Sequence, residues 1–383
     1  MIPRIAAESL KRLARGFPVL LITGPRQSGK TTLARASFAD KPYTSLENPE
    51  VRAFAEQDPR RFLQQYPEGA VLDEVQRCPS LLSWLQGLVD ERQRMGDFVL
   101  TGSAQFDLIA GVTQTLAGRV GRIELLPLSM TELSAAGLRP ERLSDFLHRG
   151  SYPALYDRTL LPSDWYSNYV ASYLERDVRQ LVAVRDLSQF QTFVRLCAAR
   201  TGQLLNLASL GADCGISAVT ARHWLSVLEA SYLVFLLRPD YRNFGKRLVK
   251  TPKLYFLDTG LAAWLLGIRQ ADTLDTHSAR GALFESMVVA EFLKHDWNAG
   301  EPAQLSFWRD HRGQEIDLLR ETESGLQAIE IKSGSTVSGD WLTTLKMYRD
   351  LSKRADLRQA VIYGGDDHYT REDVSIIGWR SLG

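Results

Sequence analysis

Apolar positions in the first third of the chain fall into short blocks of strand length. They lie at residues 17–22, 43–46, 70–73, 97–101 and 122–126, separated by stretches with helical spacing such as Thr32–Ala36. Strand-length runs alternating with helical patterns predict a parallel α/β sheet over residues 1–135. The ligand of such a sheet lies at the carboxyl ends of its strands. From about residue 136 to 200 the period becomes helical. Tyr166, Tyr169, Val170, Tyr173, Leu174, Val178, Leu181 and Val182 recur at i, i+3, i+4, i+7 spacing. Their outer face carries Glu175-Arg176-Asp177. This stretch is expected to be a helical lid beside the first unit.

Residues 201–268 form a third expected unit. A short helix spans Asn206–Leu210, Gly215 turns the chain, and Ser217 caps a second helix through Leu228. Strands follow at Tyr232–Leu237 and Lys253–Leu257. After a polar stretch at 269–278, residues 279–383 make a fourth unit. It opens with a helix from Gly281 to His295, followed by strand patterns at 305–309, 315–319 and 327–332.

Chemistry enters at the end of the first apolar run. Gly24-Pro25-Arg26-Gln27-Ser28-Gly29-Lys30-Thr31 has the GxxxxGK[ST] spacing between a strand and a helix, with Thr32 next. Glycines let backbone N–H groups close around phosphates, and the helix N-terminus adds positive potential. Lys30 would reach the β- and γ-phosphates, and the Thr31 hydroxyl would ligate Mg²⁺. The run at 70–73 ends in Asp73-Glu74. Asp73 is placed to hold Mg²⁺ and Glu74 to act as general base on a water. Ser103, after the 97–101 strand, is a candidate γ-phosphate sensor; ordinary turn chemistry is the alternative. Arg119 is a candidate to stabilise charge on a neighbouring subunit's γ-phosphate, against a plain surface role. Arg176 is a lid arginine that either reaches a phosphate or only coats the helix.

Composition narrows the classes. The 383 residues carry 46 Lys+Arg against 45 Asp+Glu, a net charge of +1, so overall charge neither favours nor excludes nucleic acid. Cys78, Cys197 and Cys214 are odd in number and far apart, which fits a reducing cytoplasm. The six histidines form no ligand pair. No apolar run reaches membrane length, and the amphipathic N-terminal stretch lacks a signal core, so it is expected to be a helix packed on the first unit.

In the third unit, helix, turn, helix and hairpin match a winged helix. Ser217, Thr220, Arg222 and His223 would face a DNA groove. The intervening RPDYRNFGKRLVKTPK holds Arg238, Arg242, Lys246, Arg247, Lys250 and Lys253 against one Asp240, with Tyr241 and Phe244 interleaved. Such a wing would ride phosphates. Use in packing or protein contact is the alternative. In the fourth unit, Asp317 and Glu330-Ile331-Lys332 match the PD-(D/E)xK nuclease pattern, with Glu285 as an added helical carboxylate. Asp317 and Glu330 would hold a divalent metal, and Lys332 would orient a water. Ile316 stands where the pattern has Pro. An inactive fold that only binds is the alternative.

Taken together, GPRQSGKTTL, VLDEVQ, LTGSAQ, LAGRV with LPLS, SYPAL, YLERDV, Thr201-Gly202-Gln203, KTPKLYFLDTGL, GALFES, and EIDLL with AIEIK resemble one family over nearly the whole chain. It is the prokaryotic AAA+ ATPases followed by the domain of unknown function 4143. The resemblance implies a P-loop AAA+ parallel-sheet core, ATP and Mg²⁺ as cofactors, and a homo-oligomer, possibly a ring. Beside it, the residue patterns predict the helical lid, the winged helix and a restriction-endonuclease-like α/β end, with DNA as the expected partner.

Overall fold

Five strands build the first sheet: β1 Val19–Thr23, β2 Tyr43–Ser45, β3 Ala70–Asp73, β4 Phe98–Thr101 and β5 Val120–Glu124. All pair in parallel, in the order β2-β3-β4-β1-β5. The computed structural model describes residues 2–102, 115–173, 186–240, 242 and 249–382.

Side chains alternate across this sheet, as the period of two requires. Val19, Leu21, Leu72, Phe98 and Leu100 enter one core. Leu20, Ile22, Val71, Val99 and Ile123 enter the other. Burial on both faces explains why the strands read as unbroken apolar runs. Helix α1, Ala6–Leu13, covers the second face through Ala6 and Leu10, as expected for the N-terminal stretch. Helix α2, Lys30–Ser37, follows β1; α3, Pro49–Gln57, and α4, Pro59–Gln64, follow β2; α5, Leu81–Arg92, follows β3.

Helix α6, Met130–Ala135, follows β5, and the expected lid region comprises α7 Leu143–Arg149, α8 Ala154–Asp157, α9 Pro162–Tyr169 and α10 Leu187–Ala199. Arg176 lies outside the described residues. The next unit has α11 Leu207–Cys214 and α12 Ala218–Ala230, and strands β6 Gln203–Leu204, β7 Val234–Leu237 and β8 Lys253–Phe256 in the order β6-β8-β7. Helices α13 Thr259–Leu265 and α14 Arg280–Asn298 lead into the last sheet.

That sheet contains β9 Leu305–Arg309, β10 Glu315–Thr322, β11 Gly325–Lys332, β12 Arg358–Tyr363, β13 His368–Arg371 and β14 Val374–Gly378, ordered β13-β14-β12-β11-β10-β9. Strands β9, β10 and β11 are antiparallel, whereas β11, β12 and β14 are parallel. One face, with Leu318, Ile329 and Ile331, joins the core that holds α14. The other face, with Ile316, Leu319 and Leu326, packs on α15, Trp341–Ser352.

The helices after β5 do not form a separate body. One continuous apolar cluster runs from Leu126 through Tyr169, Phe193, Trp224 and Val289 to Trp379. This core is therefore shared from the segment after β5 to one face of the C-terminal sheet, whose other face has its own core against α15. Among the described residues no helix is long and apolar enough to cross a membrane.

Candidate active site

The loop from Gly24 to Thr32 leaves the carboxyl end of β1 and enters α2. Gly24 has φ 147°, and a Cβ there would lie 2.2 Å from the Leu125 carbonyl oxygen. Gly29 has φ 96° and precedes α2 without a capping side chain, and the first turn of α2 holds no acidic residue. The leading N–H groups of α2 therefore have no intrahelical partner and no competing carboxylate. The Ser28 hydroxyl is buried with no hydrogen-bond partner. These features fit an anion cradle.

Lys30 is buried, and its Nζ donates to the Gly24 and Pro25 carbonyls at 3.1 and 2.7 Å. Burial depresses its pKa to about 8, against the opposing pull of Glu74 and Asp73. A lysine satisfied only by neutral carbonyls suits an incoming phosphate, which would supply the missing charge.

Asp73, the last residue of β3, gathers three hydroxyls. Thr31 Oγ1 donates to its two oxygens at 3.0 and 3.1 Å, Tyr43 OH donates at 2.8 Å, and Thr101 donates as well. Burial and the hydrogen bond to Asp73 push the Tyr43 phenol up to about 12. Thr31 and Asp73 are thus placed to share a hard cation such as Mg²⁺, whose role in these sites is to neutralise phosphate charge. Glu74 follows with φ 57°, and the Gln76 side chain donates to its carboxylate. A left-handed non-glycine residue marks a position over-determined by its surroundings. Ser103 lies outside the described residues; on its strand, Thr101 is the hydroxyl that reaches Asp73.

Arg119 sits at the other end of the sheet. Its carbonyl accepts from Val19 N at the start of β1, and its guanidinium pairs with Asp90 of the same chain. It is remote from its own loop.

Sequence reasoning missed the buttress of the loop. Arg4 donates to the Ser28 carbonyl and the Leu126 carbonyl, both at 2.6 Å, and pairs with buried Glu132 at 3.0 Å. Glu132 also closes a capping box with Ser129. The Ser129-x-x-Glu132 spacing was a readable signal for that cap; nothing local marked Arg4. Thr23, at the end of β1, meets Tyr232 from the turn before β7, with the hydroxyls 3.1 Å apart.

The two helices and the antiparallel strand pair expected of a winged helix are present, but two of its basic residues are not free. Ser217 caps α12, and Ser217, Arg222 and His223 are exposed, with Thr220 half-buried. Lys246 and Arg247, with Tyr241 and Phe244, lie outside the described residues. Arg242 does not project as a free phosphate contact. It pairs with Asp240 at 2.7 Å and with Glu321 of β10 at 3.0 Å. The hairpin backbone is stitched to edge strand β9: Asp240 N donates to the Phe307 carbonyl and Val249 N to the Arg309 carbonyl. Lys253 is buried rather than part of a basic surface.

At the C-terminal cluster, Glu285, Asp317, Glu330 and Lys332 converge as the motif requires, and Glu315, Lys253 and Tyr255 join them. Lys332 Nζ bridges Glu330 at 2.5 Å and Asp317 at 3.3 Å, the two carboxylates expected to hold a metal. Burial and then Asp317 push Glu330 up to about 8, against the pull of Lys332. Lys253 Nζ lies 2.8 Å from Glu285, contacts Glu315, and is 4.0 Å from Asp317. Burial disfavours its charge, but Glu285, Asp317 and Glu315 together outweigh that and hold its pKa above the usual lysine range.

Three family models match in turn: an AAA domain at residues 16–134, a domain of unknown function (DUF8612) at 140–272, and a domain of unknown function (DUF4143) at 280–382. The uncharacterized protein Rv2008c of Mycobacterium tuberculosis (strain ATCC 25618 / H37Rv) is 32% identical over 376 residues, covering 97% of this chain and 82% of the relative. The uncharacterized protein Mb2031c of Mycobacterium bovis matches to the same extent. Among solved structures, the Walker-type ATPase PABY2304 of Pyrococcus abyssi aligns with a TM-score of 0.42 at 13% identity, over 68% of this chain and 94% of that one. DnaA from Aquifex aeolicus aligns with a TM-score of 0.31 at 14% identity, over 59% and 86%. The chain belongs to the family of these mycobacterial relatives, P-loop ATPases with an AAA domain and a C-terminal DUF4143 domain.

Proposed function

We propose that the protein hydrolyses ATP at the Gly24–Thr32 loop and couples turnover to motion within a homo-oligomer that binds and remodels or processes DNA. One observation supports the hydrolytic part: Lys30, Thr31, Asp73 and Glu74 gather at the carboxyl ends of β1 and β3, the two strands that flank β4, with the Thr31 hydroxyl donating to Asp73. Lys30 holds the β- and γ-phosphates. Thr31 and Asp73 hold Mg²⁺, and Glu74 takes a proton from the attacking water. Arg119, remote from its own loop, would act on a neighbouring subunit's γ-phosphate.

The DNA part rests on the exposed face of α12, where Ser217, Arg222 and His223 are open to solvent on a helix that Ser217 caps. A second reading is a nucleotide-switched scaffold or signalling ATPase that acts on protein partners. The internal pairing of Arg242 and the burial of Lys253 favour it, because both leave the expected wing with less charge. The ATPase rate separates the two. With duplex, forked or single-stranded DNA added, the DNA reading expects a rise of about tenfold or more, the scale at which bound DNA lowers the barrier by roughly 1.4 kcal/mol. An unchanged rate, with no DNA retained in a mobility shift at low salt, supports the scaffold.

A further inference from the structure

A carboxylate cluster in a nuclease-like fold suggests a divalent metal, and the oxygens of Glu285, Glu315 and Asp317 do approach one another within 4.8 Å. The space between them is already served. Lys253 Nζ contacts Glu285 and Glu315 and lies 4.0 Å from Asp317. The lysine side chain is 3% exposed, and its ammonium also faces the Phe307 ring at 5.5 Å. A lysine is almost never buried so completely unless acids pair with it.

Several of the other oxygens are engaged too, whereas Glu330 Oε2 is buried with no hydrogen-bond partner among the described residues. Arg309 donates to the second oxygen of Glu315 at 2.8 Å. Ile331 N donates to Asp317 Oδ2 at 2.8 Å, and Lys332 reaches the same atom at 3.3 Å. Tyr255 OH donates to the Glu285 oxygen that also receives Lys253. Glu285, Glu315, Asp317 and Glu330 therefore face Lys253, Arg309 and Lys332. Four acids against three bases leave the cluster close to neutral. A divalent ion could enter only by displacing Lys253 from Glu285, Glu315 and Asp317, or Lys332 from Asp317 and Glu330, and so leaving an ammonium without its acids.

We propose that Lys253 is the resident cation of this cluster, seated among Glu285, Glu315 and Asp317 beside the Asp317–Glu330 pair that Lys332 bridges, so that the C-terminal domain binds no divalent ion while Lys253 is in place. Lys253 comes from β8 of the middle unit, whereas its acids come from α14 and β10. The same contact thus bolts the middle unit to the C-terminal sheet. The site is shut by the protein's own side chain.

The test is Mn²⁺ binding to the full chain without nucleotide, read by electron paramagnetic resonance and by thermal melting. Asp317→Asn serves as the control that separates this cluster from the Thr31–Asp73 site. The expected result is that wild type shows no Mn²⁺ site sensitive to Asp317→Asn. Lys253→Met should melt below wild type without metal. Mn²⁺ should raise its melting temperature by a few degrees at about 100 times the dissociation constant, a gain lost when Asp317→Asn is added. If Lys253→Met does not fold, Lys253→Arg keeps a cation and is expected to fold and bind no Mn²⁺. An Asp317-dependent Mn²⁺ site in wild type or in Lys253→Arg overturns the proposal. So does a Lys253→Met protein that melts with wild type and gains no Mn²⁺.

Discussion

The Arg4 guanidinium donates to the Ser28 carbonyl at 2.6 Å, tying a residue before the first helix to the turn that closes on phosphates. The same side chain holds Glu132 and the Leu126 carbonyl, so the loop, α1 and the segment after β5 share one buried cation. The arrangement fixes the loop from behind while its N–H groups stay open in front.

Arg4→Ala leaves Glu132 as a buried carboxylate without its cation. It is expected to cost about 3–5 kcal/mol of stability, the range for breaking a buried pair from one side. Nucleotide affinity should fall with it. Chemical denaturation with and without saturating ATP checks both. A variant with wild-type stability and affinity would show that the loop does not depend on Arg4.

Arg119 is held by Asp90 in its own chain, at the end of the sheet away from its own phosphate loop. If it serves a neighbour, Arg119→Ala should lower turnover by about 10³-fold, within the range of such arginines, and spare ATP affinity. Mixing it with Lys30→Ala protein should restore part of the activity, because each variant supplies what the other lacks. Mixed assemblies that stay inactive at every ratio would count against action between subunits.

The two basic groups of the third unit should separate in a DNA titration. Arg222→Ala with His223→Ala should weaken duplex binding more than it changes the salt slope, if α12 enters a groove. Lys246→Ala with Arg247→Ala should flatten the slope by about 0.9 for each phosphate that is no longer neutralised. Arg242→Ala should leave the slope alone and loosen the hairpin from β10, because its partners are Asp240 and Glu321. An Arg242→Ala slope change as large as that of the Lys246/Arg247 pair would place Arg242 on the DNA backbone after all.

Much of the nucleotide site was legible because its chemistry is local. GPRQSGKT carries its own turn and helix start, and Asp73-Glu74 ends a run whose burial on both faces makes it unmistakably a strand. The C-terminal cluster was half legible: Glu285, Asp317, Glu330 and Lys332 have motif spacing, but Glu315 looks like any strand-edge acid. Lys253 read as one more base in a basic hairpin. Its burial depends on β8 lying beside α14 and β10, a long-range arrangement that no local pattern encodes. Arg4 and Tyr232 were invisible for the same reason: each acts on the loop region from a distant part of the chain. The separate lid was expected from a change of period, which marks a change of element and not a change of core.

Phosphate release by Glu74→Gln beside wild type, with binding of a fluorescent ATP analogue followed in parallel, tests the ATPase assignment most directly. Lys30→Ala serves as the binding-deficient control. The expectation is that Lys30→Ala loses binding, whereas Glu74→Gln binds the analogue like wild type and releases phosphate at least about 100-fold more slowly, the contribution of a positioned general base. Wild-type turnover by Glu74→Gln, or no ATP hydrolysis by wild type under any condition that allows binding, would contradict it.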